Sequence, residues 1–300
     1  MKQRSITSVF IVLAVALVVA SKFLPYNIGT YIFDLFILCI VLISCFEINN
    51  IMEQANKHAN KLMTVIFAIV NYAVLLVSLE YLAYYYIVLV QIAVLICYFL
   101  ISMAVEAIKN KDLPFRASIK ISLNTIFTCV YPVFLFSLFV SINHIDIYTG
   151  VEKMSVVLIL LVFAITMLTD SFAYLIGRAF KGPKLAPHIS PNKTISGGIG
   201  GLLGGMAGSM LVYALVANVP MWADLLQTYN LAWWHFLILG LVASVFSQCG
   251  DLFESKLKRI ANVKDSGAIF PGHGGMLDRI DAMTFCVVVI YITSIIIMIV

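Results

Sequence analysis

The sequence has 300 residues, of which 62% are hydrophobic and 11% are charged. A typical soluble domain is roughly 45–50% apolar and about 25% charged, so this composition excludes an ordinary soluble domain. The 12% of aromatic residues exclude an intrinsically disordered chain, and the net charge of only +4 argues against a nucleic-acid-binding protein. The six cysteines occur singly, without the paired spacing of zinc or haem motifs. The sequence therefore indicates a membrane protein.

Nine apolar segments are long enough to cross a lipid bilayer as helices. They comprise residues 6–24, 28–46, 62–79, 83–105, 119–142, 154–177, 197–219, 232–250 and 280–300. The first is longer than the apolar core of a signal peptide, which is about 7–15 residues, and is therefore predicted to be an uncleaved span. No segment shows the period-two alternation of a half-buried strand. The chain is thus predicted to be an all-α polytopic membrane protein of about nine helices.

The positive charges indicate how these spans are oriented. Of the 19 lysines and arginines, 17 lie at the N-terminus or in and immediately beside the loops that follow spans two, four, six and eight. Because positively charged loops stay on the cytoplasmic side, the N-terminus and these loops are predicted to be cytoplasmic. The short N-terminus favours the cytoplasmic membrane of a bacterial cell over the membrane of an organelle.

The two halves of the chain differ in their polar residues. Residues 1–150 form about five spans with short loops and no recognisable polar motif, which predicts a membrane scaffold. Residues 151–300 form about four spans and hold two long loops, 178–196 and 251–279, rich in Lys, Gly, Pro, His and Asp. A polar cavity that faces the cytoplasm is therefore predicted in this second half. Its glycine-rich seventh span carries two small faces, which permit close helix packing.

Three aspartates mark the ends of the last two spans. Asp251, Ser255 and Lys258 follow one another at i, i+4 and i+7, on one face of a helix that leaves span eight. Asp278 and Asp281 are neighbours at i and i+3 on the helix that opens span nine. Mg²⁺ takes few protein carboxylates and completes its shell with water and phosphate oxygens. The three aspartates are therefore predicted to hold Mg²⁺ bound to substrate phosphates, with a second cation left open.

The loop between these two helices has an unusual composition. Up to Gly275 it contains four glycines and one proline. Such a loop is expected to be mobile, and its backbone N–H groups can approach an anion closely. His273 lies between two of the glycines. It is interpreted as a hydrogen-bond donor to a substrate phosphate, and the alternative is that it anchors the loop.

The stretch from Ser255 to Asp281 closely resembles the signature of the phosphatidate cytidylyltransferases, or CDP-diacylglycerol synthases. The matching elements are Ser255, Lys258-Arg259, Lys264-Asp265, Pro271, His273-Gly-Gly275 and Asp278-Arg-Ile-Asp281. The resemblance extends backwards through Asp170-Ser-Phe-Ala-Tyr174, Gly177-Arg178, Lys184-Leu-Ala-Pro187 and Ser190-Pro-Asn-Lys-Thr194. It covers about the C-terminal half, whereas the N-terminal half matches only as a set of spans.

The second block departs from the family pattern at two places. Ile195 and Ser196 stand where family members often carry Trp-Glu, which puts an acidic role at position 196 in doubt. The usual Phe-Gly-Lys after Gly-Arg is Phe180-Lys181-Gly182 in this chain, which leaves the role of Lys181 open.

The resemblance implies a nucleotidyltransferase of phospholipid biosynthesis, which converts CTP and phosphatidate to CDP-diacylglycerol and pyrophosphate. The attacking phosphate monoester is largely dianionic at pH 7, so it needs no general base. The reaction instead requires relief of repulsion between two polyanions, in-line positioning and a neutralised leaving group. An active site that faces the cytoplasm would serve both the membrane lipid and CTP.

The resemblance also implies the roles of individual residues. The predicted catalytic residues are Lys258, Arg259, Asp278 and Asp281. Substrate binding is predicted for Asp170, Lys193, Thr194, Ser255, Lys264, His273 and Arg279, with a helix-end acid as the alternative for Asp170. The predicted cofactor is Mg²⁺, and the predicted partners are CTP, phosphatidate and membrane lipid, with a homodimer left open and no nucleic acid.

Two other functions are compatible with a polytopic chain. A CTP-dependent kinase of polyprenols or other lipid alcohols would transfer the γ-phosphoryl group instead, and its alcohol substrate would need a base. A secondary transporter would place its functional charges near the middle of the membrane. In this chain the charges concentrate at the predicted cytoplasmic ends of spans six, eight and nine, which favours the transferase.

Overall fold

The computed structural model describes residues 2–109, 114–151, 153–270, 272 and 274–299, with side chains described except at residues 2–11, 26, 223 and 224. Most of these residues are helical. The helices are α1 (Lys2–Ser21), α2 (Ile28–Gln54), α3 (Lys61–Tyr81), α4 (Tyr84–Lys109), α5 (Phe115–Thr128), α6 (Leu135–Asn143), α7 (Asp146–Thr149), α8 (Met154–Phe180), α9 (Ile195–Asn218), α10 (Pro220–Thr228), α11 (Trp233–Ile260) and α12 (Leu277–Ile299). Two strands, β1 (Lys184–Ala186) and β2 (Ser190–Thr194), lie between α8 and α9.

The predicted class of all-α polytopic membrane protein is confirmed. Within the described part of the chain, eight helical stretches are long and apolar enough to cross a membrane. One of them, Phe115–Asn143, combines α5 and α6 through the irregular segment Cys129–Phe134, which contains Pro132. The first predicted span, residues 6–24, corresponds to α1, in which the apolar helix with described side chains is Val12–Ser21. The count of nine spans therefore stays a prediction.

The β-hairpin differs from the predicted secondary structure. Its strands run antiparallel, with Lys184 opposite Thr194 and Ala186 opposite Ser190. Both strands are short and mostly exposed, so their residues show no alternating apolar pattern. For this reason the sequence predicted a loop here. Because β2 leads directly into α9, the hairpin delivers Lys193 and Thr194 to the start of that helix.

The chain divides into two compact units. The N-terminal unit consists of Met1–Ser137 and Leu257–Asp278, and the C-terminal unit consists of Leu138–Lys256 and Arg279–Val300. This division differs from the predicted boundary at residue 150, because Leu257–Asp278 packs with the N-terminal helices. Hydrogen bonds from this segment to Glu47 of α2 are one physical reason for that packing.

In the C-terminal unit, α9 packs tightly through its glycines. A Cβ added at Gly204 would lie 2.2 Å from the carbonyl oxygen of Leu168 in α8, and one at Gly208 would lie 2.5 Å from that of Ala164. A Cβ at Gly205 would lie 2.3 Å from the Cβ of Ser244 in α11. The close packing predicted from the glycine spacing is therefore confirmed, against α8 at Gly204 and Gly208 and against α11 at Gly205.

We expect the Gly204→Ala variant to be less stable than the wild type by about 1–3 kcal/mol, because the added methyl group would overpack α9 against the backbone of α8. The melting temperature in detergent measures the effect. Gly198→Ala is the matched control in the same helix, since a Cβ there would lie 3.5 Å from its nearest neighbour, an ordinary contact. Equal melting temperatures for the two variants would contradict the close α8–α9 packing.

Candidate active site

A polar cleft of about 660 Å³ opens in the C-terminal unit. It is lined by the end of α8, the β-hairpin, the start of α9 and the middle of α11. Three of its lining residues, Asp170, Lys193 and Thr194, are among the predicted substrate-binding residues, and Asp251 is a predicted metal ligand. The fold therefore collects four of the predicted site residues around one cavity.

Lys193 and Asp251 form an ion pair in this cleft. The Lys193 ammonium donates to Oδ2 of Asp251, and about a quarter of each side chain is exposed, 27% and 28% respectively. Ser255, one turn further along α11, places its hydroxyl 3.4 Å from the other carboxylate oxygen, Oδ1. A lysine that is held at the wall of an open cleft can exchange its carboxylate for an anionic ligand.

Asp251 belongs to an acidic group in the C-terminal unit. Asp281 interacts electrostatically with Asp251, Glu254 and Asp170. Asp170 in turn interacts with Asp251 and with two cations, Lys193 and Arg279. Because like charges at this proximity repel one another, the group is stabilised by any cation that enters it.

The donor set of this acidic group fits a magnesium–phosphate complex. Mg²⁺ is usually bound through one or two protein carboxylates together with waters and substrate phosphates. The described residues contain no group of three or more His, Cys, Asp or Glu side chains that could by itself hold a metal ion. Asp251 and Asp281 stay the predicted metal ligands of this group, and Asp170 interacts electrostatically with both.

Thr194 is placed at the cleft, but its hydroxyl already has a structural partner. It is the N-cap residue of α9, and its Oγ1 accepts a hydrogen bond of 3.1 Å from the backbone N–H of Gly197. The side chain is also mostly buried, since the residue is 8% exposed. The geometry thus favours a helix-capping role for Thr194 over the predicted contact with substrate.

The two departures from the family pattern touch each other. The hydroxyl of Ser196 donates a hydrogen bond to the backbone carbonyl of Lys181. Lys181 and Gly182 have positive φ angles of 52° and 101°, so the chain turns sharply here, and glycine adopts such a conformation without strain. Lys181, Gly182 and Ser196, at which this chain departs from the family pattern, therefore lie together at the rim of the cleft.

In the N-terminal unit, Asp278 is surrounded by protein donors. Its Oδ1 lies 2.5 Å from the Lys258 ammonium, and these side chains are 7% and 12% exposed, respectively. Its Oδ2 accepts from the backbone N–H groups of Ser266 at 2.9 Å and Gly275 at 2.8 Å, and the hydroxyl oxygen of Ser266 lies 2.8 Å away. Both oxygens are thus in use, which favours a role in holding the loop over the predicted role of metal ligand.

Glu47 is a residue of this region that the sequence reasoning missed. It lies in α2, is only 4% exposed, and accepts hydrogen bonds from Ser266, Met276 and Leu277. The two ends of the glycine-rich loop, which the sequence predicted to be mobile, are therefore tied to the carboxylates of Glu47 and Asp278. The available signal was an acid next to an apolar span, where a charged group is costly unless it is paired.

The remaining predicted residues are more exposed. Arg259, Lys264 and Arg279 have exposed side chains, and Nη1 of Arg259 lies 3.5 Å from the carbonyl oxygen of Val263. His273 lies outside the described residues. Arg178 also lines the cleft and donates to the hydroxyl of Tyr174 at 3.2 Å. It was noted only as part of a motif and is a further cation available for anions.

The chain is similar to known cytidylyltransferases. Among its curated relatives is a phosphatidate cytidylyltransferase of Brucella abortus (strain 2308), 41% identical over 148 residues, which are 49% of this chain and 50% of the relative. Another is from Staphylococcus saprophyticus, 42% identical over 127 residues, or 42% of this chain and 45% of the relative. A third is from Thermotoga maritima, 40% identical over 133 residues, or 44% and 47%. The chain spans about half the length of these relatives.

The match to the family as a whole is more extensive. The sequence model of the cytidylyltransferase family covers residues 2–297, which include both units and both blocks of the signature. The chain therefore belongs to the cytidylyltransferase family.

Proposed function

We propose that the protein transfers CMP from CTP to phosphatidate and so produces CDP-diacylglycerol and pyrophosphate. The observation that carries the proposal is the polar cleft of the C-terminal unit, in which Lys193 and Asp251 pair beside Asp170. The name shared by the similar curated proteins supports the same reaction. A cleft that offers both cations and carboxylates suits a nucleoside triphosphate with its counter-ion.

The residues of the cleft would act mainly by positioning and by balancing charge. The phosphatidate oxygen attacks the α-phosphorus of CTP as a dianion, and the bond to the β,γ-pyrophosphate breaks. Lys193 exchanges Asp251 for a phosphate oxygen, which places a compact positive charge against the triphosphate. Arg279 adds a second positive charge next to Asp170. No residue is required as a general base, since the attacking group is already ionised.

Mg²⁺ is the cofactor of this proposal. Asp251 and Asp281 would hold it, with Asp170 near both, and the ion when bound offsets the negative charge of the phosphates. The assignment of Lys258, Arg259 and Lys264 to phosphate binding stays a prediction, as does any second cation.

The proposal places the active site at the cytoplasmic face of the cell membrane. The distribution of lysine and arginine supports this orientation, because the loops with most of the positive charge are also the loops with the signature residues. Phosphatidate is held in the membrane by its acyl chains, so its phosphate stays at headgroup depth, while CTP arrives from water. A reaction between the two requires a cleft at that level.

The position of a radioactive label in CTP tests the proposal. With purified protein, phosphatidate and Mg²⁺, we expect the label from α-labelled CTP to enter the lipid and the label from γ-labelled CTP to leave as pyrophosphate. A lipid-alcohol kinase would instead transfer the γ-label to an alcohol and release CDP. Incorporation of the γ-label, or no incorporation with phosphatidate at all, would overturn the proposed function.

A further inference from the structure

Glu47 is a buried ionisable residue that does not line the cleft. It belongs to α2 in the N-terminal unit, and about 220 residues separate it from the signature loop that it contacts, as in the pair Ser266–Glu47 with a separation of 219. Only 4% of the residue is exposed. A carboxylate in this position is costly unless its oxygens are matched by donors, so the donors around it indicate what it does.

Among the described residues, the donors to Glu47 come from the signature loop and the start of α12. The backbone N–H of Met276 donates to Oε1 at 2.9 Å, and that of Leu277 donates to Oε2 at 2.7 Å. The hydroxyl of Ser266 donates to Oε2 at 3.1 Å. Leu277 is the first residue of α12, so Glu47 satisfies N–H groups that have no acceptor within the helix. Its negative charge also complements the helix dipole at that end.

Two glycines of the signature make room for this carboxylate. A Cβ added at Gly267 would lie 2.4 Å from Oε1 of Glu47, and a Cβ at Gly275 would lie at the same distance of 2.4 Å. Neither glycine has a positive φ angle. A side chain at either position would therefore displace the carboxylate through lack of space rather than through the backbone conformation.

We propose that Glu47 is a positioning residue that fixes the loop Ser266–Leu277 for the reaction. Because the backbone N–H groups of Ser266 and Gly275 donate to Asp278, the carboxylates of Glu47 and Asp278 hold the two ends of the loop together from two sides. The first half of the chain then contributes directly to the geometry of the signature and is more than a scaffold. The catalytic part of this inference rests on the proposed function, whereas the anchoring part does not.

Glu47→Gln is the test variant, since it keeps the shape but replaces one acceptor oxygen with an NH₂ group. We expect hydrogen–deuterium exchange to become faster in a peptide that covers residues 274–280 and to stay unchanged in peptides of α8. We also expect kcat to fall by on the order of 10²-fold, with a smaller change in KM, because a small displacement of positioning groups has effects of that size. Glu53→Gln is the matched control, with the same substitution at an exposed position of the same helix.

The outcomes separate the anchoring from the proposed reaction. Faster exchange in the 274–280 peptide together with a lower kcat supports the inference. Wild-type exchange overturns it whatever the activity, and faster exchange with an unchanged kcat overturns the claim that the anchor serves catalysis. If the wild type forms no CDP-diacylglycerol, the proposed function fails, and the exchange measurement alone still decides whether Glu47 holds the loop.

A second variant tests the contact without removing the charge. Gly267→Ala should also accelerate exchange in the 274–280 peptide, because its methyl group would displace the Glu47 carboxylate. Glu47→Asp withdraws the carboxylate by one methylene and so leaves room for the added methyl group. In the double variant Gly267→Ala/Glu47→Asp, the increase in the exchange of the 274–280 peptide should therefore be smaller than the sum of the increases in the two single variants. Strict additivity would show that the two residues are not coupled and would contradict the proposed anchor.

Discussion

Lys193→Ala is expected to lower kcat/KM for CTP by on the order of 10²–10³-fold, the effect of removing one positioned donor from a transition-state site. The lysine stands at the wall of the cleft, and its partner, Asp251, belongs to the acidic group that fits a cation. Once the ammonium is gone, the triphosphate meets Asp251 and Asp170 without that compensating charge. Steady-state kinetics at saturating phosphatidate and Mg²⁺ measure the change.

Lys256→Ala is the matched control for this experiment. Lys256 lies on α11, five residues after the cleft residue Asp251. Its side chain is exposed and does not line the cavity. It should keep kcat/KM within about threefold of the wild type, since surface substitutions of this kind have small effects. A loss at position 193 no larger than the loss at position 256 would remove Lys193 from the site.

The helices and one half of the site could be predicted from the sequence for simple physical reasons. An apolar run of about 20 residues has few alternatives to a membrane-spanning helix. The glycine spacing of α9 likewise indicates close packing, because only small residues allow two helix backbones to approach. Lys193 and Asp251 belong to motifs that both lie at the predicted cytoplasmic ends of spans, and the structure brings them together in one cleft.

The rest of the site depends on distances in space that the sequence does not contain. Glu47 lies 230 residues from Leu277 along the chain. The residues next to Glu47 in the sequence do not indicate which N–H groups donate hydrogen bonds to its carboxylate. The hairpin around β1 and β2 was missed because its short, exposed strands carry no burial pattern. Asp278 and Asp281 look equivalent in the motif, and only their different surroundings distinguish them.

The last prediction uses that difference between the two aspartates. Asp281→Asn is expected to lower activity by on the order of 10²–10³-fold and to raise the Mg²⁺ concentration required, since it removes one carboxylate from the acidic group. Its stability should not fall, because the substitution relieves repulsion from Asp251, Glu254 and Asp170. Asp278→Asn should instead destabilise the protein by about 3–5 kcal/mol, because it breaks a mostly buried ion pair with Lys258.

Two measurements on each variant separate these roles: activity as a function of Mg²⁺ concentration, and melting temperature without substrate. For Asp281→Asn, excess Mg²⁺ should restore part of the activity while the melting temperature stays at or above that of the wild type. For Asp278→Asn, the melting temperature should fall and excess Mg²⁺ should restore nothing, because the lost interactions are with Lys258, Ser266 and Gly275. The reverse pattern, with Mg²⁺ rescue only at position 278, would return Asp278 to the metal site and remove Asp281 from it.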